Sequence, residues 1–113
     1  MKRFGMTCML KDESGVIENY DAYHANPWPA IVEGNSQAGI WQVYMYRIER
    51  RLFLFMETED DFSLDSCADK QLADPKAKEW DTLMRTFLTN VPEAPEGTIW
   101  VQMKEIHALE NLQ

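Results

Sequence analysis

The stretch Tyr20–Pro29, with the sequence YDAYHANPWP, combines a helical pattern with an abrupt stop, and the rest of the chain is arranged around it. Proline lacks an amide proton and disfavours the helical conformation of the preceding residue, so a helix that runs into Asn26-Pro27 must end or bend there. Upstream, apolar and aromatic residues recur at three- and four-residue spacings, which predicts a helix over residues 16–25. Tyr20 and His24 are then neighbours on one helical face.

Patterns on both sides of this stretch predict four strands and three further helices. Pro29 suits the first turn of a second helix, which Gly39 would close. Apolar runs predict strands at residues 3–10, 40–47, 51–57 and 98–108, and helical patterns occupy residues 62–73 and the segment that begins at Pro75 after an Asp74 cap. The order is β-α-β-β-α-β with each helical region split. This is the ferredoxin-like α+β arrangement, one antiparallel sheet with helices on one face.

The predicted strand at residues 40–47 carries large side chains on both faces. Strict alternation places one set opposite the other, with Ile40, Gln42, Tyr44 and Tyr46 on one face and Trp41, Val43 and Met45 on the other. Helices on one side only would leave a broad apolar sheet face in contact with water. Packing two such sheets face to face buries it, so the sequence predicts a homodimer of the dimeric α+β barrel type.

The composition restricts the class of protein. A chain of 113 residues is long enough for one core but not for two, so residues 1–113 are predicted to form a single domain. The formal net charge of −8 disfavours nucleic acid and anionic membranes as partners. No apolar run is long enough to span a membrane, and the one near the N-terminus, which Lys11-Asp12 interrupts, is too short for a signal peptide. We therefore expect a cytoplasmic location.

The sequence predicts neither a metal site nor a cofactor site. Cys8 and Cys67 lie far apart without zinc-type spacing, and two free thiols are favoured over a disulfide. The acidic run Glu57–Asp61 lacks the alternating spacing of a calcium loop and is interpreted as a solvated turn. Arg47, beside a hairpin turn, is interpreted as part of a solvated edge. No phosphate-binding or nucleophile motif occurs, so no cofactor is expected.

His24 is the candidate for proton transfer, because an imidazole with an ordinary pKa near 6.5 accepts and donates protons around neutrality. The residues alone favour a simpler alternative, a helix-end histidine that only hydrogen-bonds a carbonyl. Tyr20 could contact a ligand hydroxyl or orient the imidazole. The aromatic side chains that could either form the walls of a ligand site or fill the core are Trp28, Trp41, Tyr44 and Trp80.

Three separated features agree in residue type and spacing with one known family. They are the motif Tyr20-x3-His24-x3-Trp28-Pro29, a strand that carries Tyr44, and the segment Arg51–Glu57 (RLFLFME) that follows it. In these features the chain resembles the L-rhamnose mutarotase family, from about residue 2 to residue 109. The resemblance implies a dimeric α+β barrel and a cofactor-independent isomerase. Its reaction would interconvert the α and β anomers of a 6-deoxy-L-sugar by general acid-base catalysis.

The resemblance also implies roles for individual residues. His24 corresponds to the family's proton donor, and Tyr20 to a tyrosine that contacts the sugar. Trp41 stands where the family has another aromatic substrate contact, three positions before Tyr44, but an indole lacks the phenol hydroxyl. Glu79-Trp80 stands where many members have two adjacent tryptophans. These differences leave the monosaccharide open between L-rhamnose, placed first, and L-fucose, placed second.

Two alternatives from other classes remain. The same barrel fold occurs in small monooxygenases and heme-degrading proteins, and His24 could be read as a heme ligand. A catalytically inert sugar-binding module is the second alternative, because mutarotation requires no cofactor motif that a sequence would reveal.

Overall fold

The computed structural model describes residues 1–110, and its elements follow the predicted order with one short extra strand. They are β1 (Lys2–Leu10), α1 (Val16–Ala25), α2 (Pro29–Gln37), β2 (Ile40–Ile48), β3 (Arg51–Thr58), α3 (Cys67–Gln71), α4 (Pro75–Arg85), β4 (Leu88–Thr89) and β5 (Val101–Met103). The additional strand is β4, which follows directly on the last long helix.

The sheet has the order β2-β3-β1-β4, with β5 also paired to β1, and every pairing is antiparallel. β3 therefore lies between β1 and β2, the two strands that α1 and α2 connect, which is the split arrangement of a ferredoxin-like fold. The helices pack on the face that carries Cys8 and Leu52, where they contribute Val16, Tyr20 and Trp80 to the main core. The predicted α+β class is confirmed.

Proline and glycine begin and end the helices where the sequence predicts it. At the end of α1, Asn26 has left the helical conformation, with φ −139°, immediately before Pro27. Pro29 occupies the first turn of α2, and Gly39 adopts a positive φ of 83° after that helix ends. Asp74 caps α4 by accepting a hydrogen bond from the Lys76 amide at 2.8 Å.

The predicted helix at residues 62–73 is wrong in its first half, because only Cys67–Gln71 is helical. Phe62 is 3% exposed and belongs to a second core cluster with Ile40 and Met56. The residues between Phe62 and α3 include Ser63, Asp65 and Ser66, residue types that favour turns over helix because their side chains can hydrogen-bond the nearby backbone. Burial of one phenylalanine thus fixes this segment without a regular helix.

The predicted strand at residues 98–108 is also too long, because β5 covers only Val101–Met103. Its pairing to β1 is limited to three residue pairs around Met6, and β4 takes the place beside the other end of β1. Beyond β5 the chain leaves the sheet and contacts Arg3, whose guanidinium donates to Glu105 at 2.5 Å and to Glu110 at 2.8 Å. Side-chain ion pairs replace strand pairing there.

A β-bulge at Trp41 interrupts the alternation predicted for β2 between Ile40 and Gln42, while Gln42, Tyr44 and Tyr46 share one face and Val43 and Met45 the other, as predicted. Ile40 pairs with Thr58, but the next pair joins Gln42 to Glu57, so Trp41 is an extra residue in the strand. Because side chains alternate between faces, the extra residue places Ile40 and Gln42 on opposite faces. Ile40 is 7% exposed in the second core cluster, and Gln42, Tyr44 and Tyr46 share the open face.

The open face is the side of the sheet opposite the helices. Tyr44 stacks on Phe55 and Tyr46 on Phe53, with ring centroids 6.4 and 6.2 Å apart, as cross-strand neighbours. Such pairs stabilise a sheet locally. Both tyrosines remain exposed to solvent in the single chain, at 46% and 62%.

Both cysteines are free, as the sequence analysis favoured. Cys8 lies fully buried in the middle of β1, and this burial raises the pKa of its thiol to about 12. Cys67 is partly buried at the start of α3. No helix in residues 1–110 is both long enough and apolar enough to cross a membrane.

Candidate active site

A cleft of about 260 Å³ opens between the second half of α1 and the end of β2. Its walls come from two elements that meet at the edge of the sheet, with Leu52 of β3 beneath them. The residues that line it are Tyr20, Asp21, His24, Ala25, Met45, Tyr46, Arg47 and Leu52. The structure thus places both residues of the helical Tyr20/His24 pair in one cavity.

The protonation state of His24 follows from its hydrogen bond. Its Nδ1 lies 2.9 Å from the backbone carbonyl oxygen of Tyr20. A carbonyl oxygen only accepts, so Nδ1 carries the proton and Nε2 keeps a free lone pair. Burial lowers the pKa of His24, opposed by that hydrogen bond and by the carboxylate of Asp21. The imidazole is therefore neutral at pH 7 and ready to accept a proton through Nε2.

Aromatic rings fix the imidazole from two sides. The Tyr20 ring stacks on it with centroids 4.2 Å apart and an interplanar angle of 29°, and Trp80 meets it edge-on at 5.4 Å. Trp28 packs against Trp80, also at 5.4 Å, just beyond the proline break. Trp80 is 6% exposed, so it supports His24 from within the core. The bend at Asn26-Pro27 is what brings Trp28 back against this group.

The phenol of Tyr20 is a hydrogen-bond donor. The ring is 3% exposed, and burial raises its pKa well above the ordinary value of 10, so the hydroxyl stays protonated at neutral pH. Its partner is the sulfur of Met45 at 3.7 Å. A thioether is a weak acceptor, so a stronger acceptor such as a sugar oxygen would compete well for this proton.

An ion pair frames the other side of the cleft. Arg47 donates from Nε to one Asp21 carboxylate oxygen at 2.9 Å and from Nη2 to the other at 2.6 Å, and its Nη1 donates to the Glu49 carbonyl at 2.9 Å. Arg47 is an exposed residue of the edge strand, as the sequence analysis interpreted it, and it also pairs with Asp21 across the cleft. The bulge at Trp41 determines which face of β2 carries Arg47, because the residues after the bulge are placed so that Arg47 and Met45 face α1.

The sequence model of the family described as L-rhamnose mutarotase matches residues 3–109 of this chain. The chain belongs to the L-rhamnose mutarotase family. Two relatives match it over 96% of its length: a UPF0734 protein from Dictyostelium discoideum at 31% identity, covering 90% of that protein, and an L-fucose mutarotase from Xanthomonas campestris pv. campestris at 29%, covering 89%. Membership confirms the resemblance carried by the Tyr20–Trp28 motif.

Solved structures agree in fold with this member of the mutarotase family. An L-rhamnose mutarotase from Formosa agariphila superposes with a TM-score of 0.69 at 19% identity, covering 97% of this chain and all of the other. A dimeric ferredoxin-like protein from an uncultured marine organism gives a TM-score of 0.59 at 11% identity, covering 98% of this chain and 91% of the other. At these identities the likeness concerns the fold alone.

The structure separates the other candidate residues from His24. Tyr44 lies on the open face, and its hydroxyl donates to the side chain of Gln42. Trp41, at the bulge, is 59% exposed. Glu79 pairs with Lys76 at 3.3 Å and lines a separate, open groove with Trp28 on the outer side of α4. Within one chain, these three side chains do not share the cleft of His24.

Sequence reasoning missed Asp21, Met45 and Arg47, which line the cleft, and Tyr23, whose ring meets Trp80 edge-on at 6.0 Å. The signal for Asp21 was available, because it lies three residues before His24 and so one turn away on the helix. The signal for Met45 and Arg47 was not, since their face depends on the bulge. Among residues 1–110, no three His, Cys, Asp or Glu side chains are grouped so that they could hold a metal ion.

Proposed function

We propose that this member of the L-rhamnose mutarotase family interconverts the α and β anomers of a 6-deoxy-L-hexose, with L-rhamnose first and L-fucose second, and that His24 transfers the proton. The observation that carries the proposal is the hydrogen bond from Nδ1 to the Tyr20 carbonyl, which leaves Nε2 as the free base in a cleft of sugar-ring size. The names of the Xanthomonas and Formosa relatives support the choice of sugars.

The reaction asks for one proton to be removed and one to be delivered. Nε2 takes the proton of the anomeric hydroxyl, whose oxygen forms a carbonyl as the bond from the anomeric carbon to the ring oxygen breaks. The electron pair of that bond passes to the ring oxygen, which takes a proton from water or a neighbouring hydroxyl. After rotation about the next carbon–carbon bond, the ring hydroxyl attacks the other carbonyl face and returns its proton to the water or hydroxyl that supplied it. The imidazolium returns its proton to the new anomeric oxygen.

Tyr20 and the aromatic rings hold the sugar rather than react with it. The protonated phenol of Tyr20 donates to a sugar oxygen in exchange for its weak bond to Met45. Stacked and edge-on rings keep the imidazole in one orientation while either anomer occupies the cleft. Both anomers must bind with similar strength, because tight binding of one ground state would slow its conversion.

We also propose that the working form is a homodimer through the open face. The stacked pairs Tyr44–Phe55 and Tyr46–Phe53 present a continuous aromatic surface that a second copy would bury. The dimeric ferredoxin-like structure supports this arrangement at the level of the fold. A cytoplasmic location and a single domain stay predictions from the sequence.

Anomer exchange measured by saturation-difference proton NMR tests the function on L-rhamnose, L-fucose and D-glucose. We expect accelerated exchange for a 6-deoxy-L-sugar and none for D-glucose. Binding without acceleration would favour the inert sugar-binding module instead. No acceleration and no binding would overturn the proposal, and a Soret band on adding heme would then support the heme alternative.

A further inference from the structure

The Asp21–Arg47 pair holds unused hydrogen-bonding capacity at the edge of the cleft. Three of the five N–H donors of Arg47 are engaged, two by the Asp21 carboxylate and one by the Glu49 carbonyl. Each Asp21 oxygen accepts one of these bonds and can accept another. Within residues 1–110 no other hydrogen bond engages these groups, so the pair presents donors and acceptors side by side.

The two residues are the only charged groups among those that line the cleft, which otherwise offers His24, the phenols of Tyr20 and Tyr46 and apolar side chains. The ion pair itself is partly exposed, with 29% of the Arg47 and 48% of the Asp21 side chain accessible. Exposed pairs of this kind contribute little to stability. The free donors and acceptors of this partly exposed pair therefore suit the binding of a polar ligand better than the stabilisation of the fold.

The position of the pair relative to His24 indicates which part of a sugar it would meet. Asp21 and His24 are three residues apart on α1, so their β-carbons are about 5–6 Å apart on one helical face. Arg47 reaches Asp21 from the end of β2, on the opposite wall of the cleft. A pyranose whose anomeric carbon and ring oxygen lie at His24 directs the hydroxyls across its ring toward the pair.

We propose that the Asp21–Arg47 pair binds the ring hydroxyl at C4 and so determines which 6-deoxy-L-hexose the site accepts. The inference rests on the proposed mutarotase function. L-Rhamnose and L-fucose have opposite configurations at C2 and at C4. C2 is adjacent to the anomeric carbon placed at His24, so the differing hydroxyl that lies across the ring, toward the pair, is the one at C4. A rigid guanidinium fork and a fixed carboxylate distinguish the two directions, because charge-assisted hydrogen bonds depend strongly on geometry.

A comparison of L-rhamnose with 4-deoxy-L-rhamnose tests the contact directly. With the unaltered protein, loss of the C4 hydroxyl should lower kcat/KM and sugar affinity about 10- to 100-fold, the range for a hydrogen bond to a charged group. Arg47→Met should cause a similar loss on L-rhamnose but little further loss on the 4-deoxy sugar. The ratio of L-rhamnose to L-fucose activity should move toward one.

Two more variants separate binding from a structural role. Asp21→Asn keeps the size of the side chain and should reproduce the effect in part. Arg47→Lys keeps the charge but not the fork, and should restore less than half of the discrimination. Arg85→Met, which breaks the exposed pair of Arg85 with Asp81 on α4, is the matched control and should change neither sugar's kinetics.

Equal losses on L-rhamnose and the 4-deoxy sugar in Arg47→Met and Asp21→Asn would overturn this inference, because a pair that only holds α1 against β2 affects every substrate alike. Indifference of the unaltered protein to the C4 hydroxyl would overturn it too. Either result leaves the proposed function intact, since the unaltered protein would still accelerate exchange. A protein that neither exchanges nor binds these sugars overturns both.

Discussion

The two faces of the β-sheet both carry large apolar or aromatic side chains but bury them to very different extents. On the helix-covered face, Cys8, Leu52 and Met56 are at most 6% exposed, whereas on the open face Tyr46 is 62% and Ile48 is 74% exposed. The covered face is a closed core whose edge forms the cleft of His24. The open face is an aromatic surface with no helix over it. In our interpretation, the same strands serve proton transfer on one side and assembly on the other.

The largest expected effect comes from removing the base on the covered side. His24→Gln should lower kcat/KM for anomer exchange by about 10²–10⁴-fold, the usual contribution of a positioned general base. Phe55→Leu, an apolar change on the open face, should retain the unaltered rate. Circular dichroism checks that both variants fold. Full activity in folded His24→Gln would remove His24 from the mechanism.

The second largest effect is expected on stability, from a substitution in the core. Leu52→Ala should lower the free energy of unfolding by about 2–5 kcal/mol, because the buried side chain leaves a cavity. Ile48 is 74% exposed, so Ile48→Ala should change the free energy of unfolding by less than about 0.5 kcal/mol. Urea titrations of both variants measure the contrast. A large cost at Ile48 would place a second chain over that end of the open face.

The open face can also be tested by charge. Phe55→Glu puts a carboxylate beneath Tyr44 in the middle of the aromatic surface, and should weaken a dimer by about 2 kcal/mol or more, as for a central interface residue. Sedimentation velocity across a range of concentrations measures this. The Lys76→Glu variant on α4 controls for added negative charge. If the unaltered chain sediments as a monomer, the dimer proposal is wrong.

The smallest effect is the pH dependence of the covered side. Burial lowers the pKa of His24 below its ordinary 6.5. The fraction of the base form, and with it the activity, should therefore rise with pH, and the midpoint of this rise should lie below 6.5. The unfolded chain takes up this proton at higher pH than the folded one, so stability falls as pH decreases through 6.5 toward the folded pKa. Above 6.5 His24 contributes nothing to the slope. His24→Gln should lose that part of the slope, and a midpoint above 6.5 would contradict the assignment.

Local signals in the sequence were sufficient to predict most of the fold and about half of the candidate site. The Pro27 break, Pro29 and Gly39 located α1 and α2 because these residues act on their own backbone. The i,i+4 relation of Tyr20 and His24 follows from helical geometry alone, and the structure places both in one cleft. Such inferences need no knowledge of what packs against the segment.

Apart from Asp21, whose place one turn before His24 was predictable, the misses depend on contacts between distant parts of the chain. Arg47 meets Asp21 across 26 residues, and its face is set by one extra residue in β2. The segment after Phe62 is fixed by burial of that ring rather than by a helical pattern. β5 is short because it pairs with only three residues of β1, Gly5 to Thr7, while β4 pairs with Met9 and Leu10. Periodicity cannot supply information of this kind.

The single extra residue at Trp41 also has an evolutionary consequence. Removing Trp41 would restore regular pairing between β2 and β3. It would reverse the face of Ile40, the residue of β2 before the bulge, while β1 and β3 keep their register. Because the hairpin keeps residues 42–48 in register with β3, one codon lost at Trp41 would turn Ile40 out of the second core cluster. Gain or loss of one residue at this position is therefore coupled to a change in the core at Ile40.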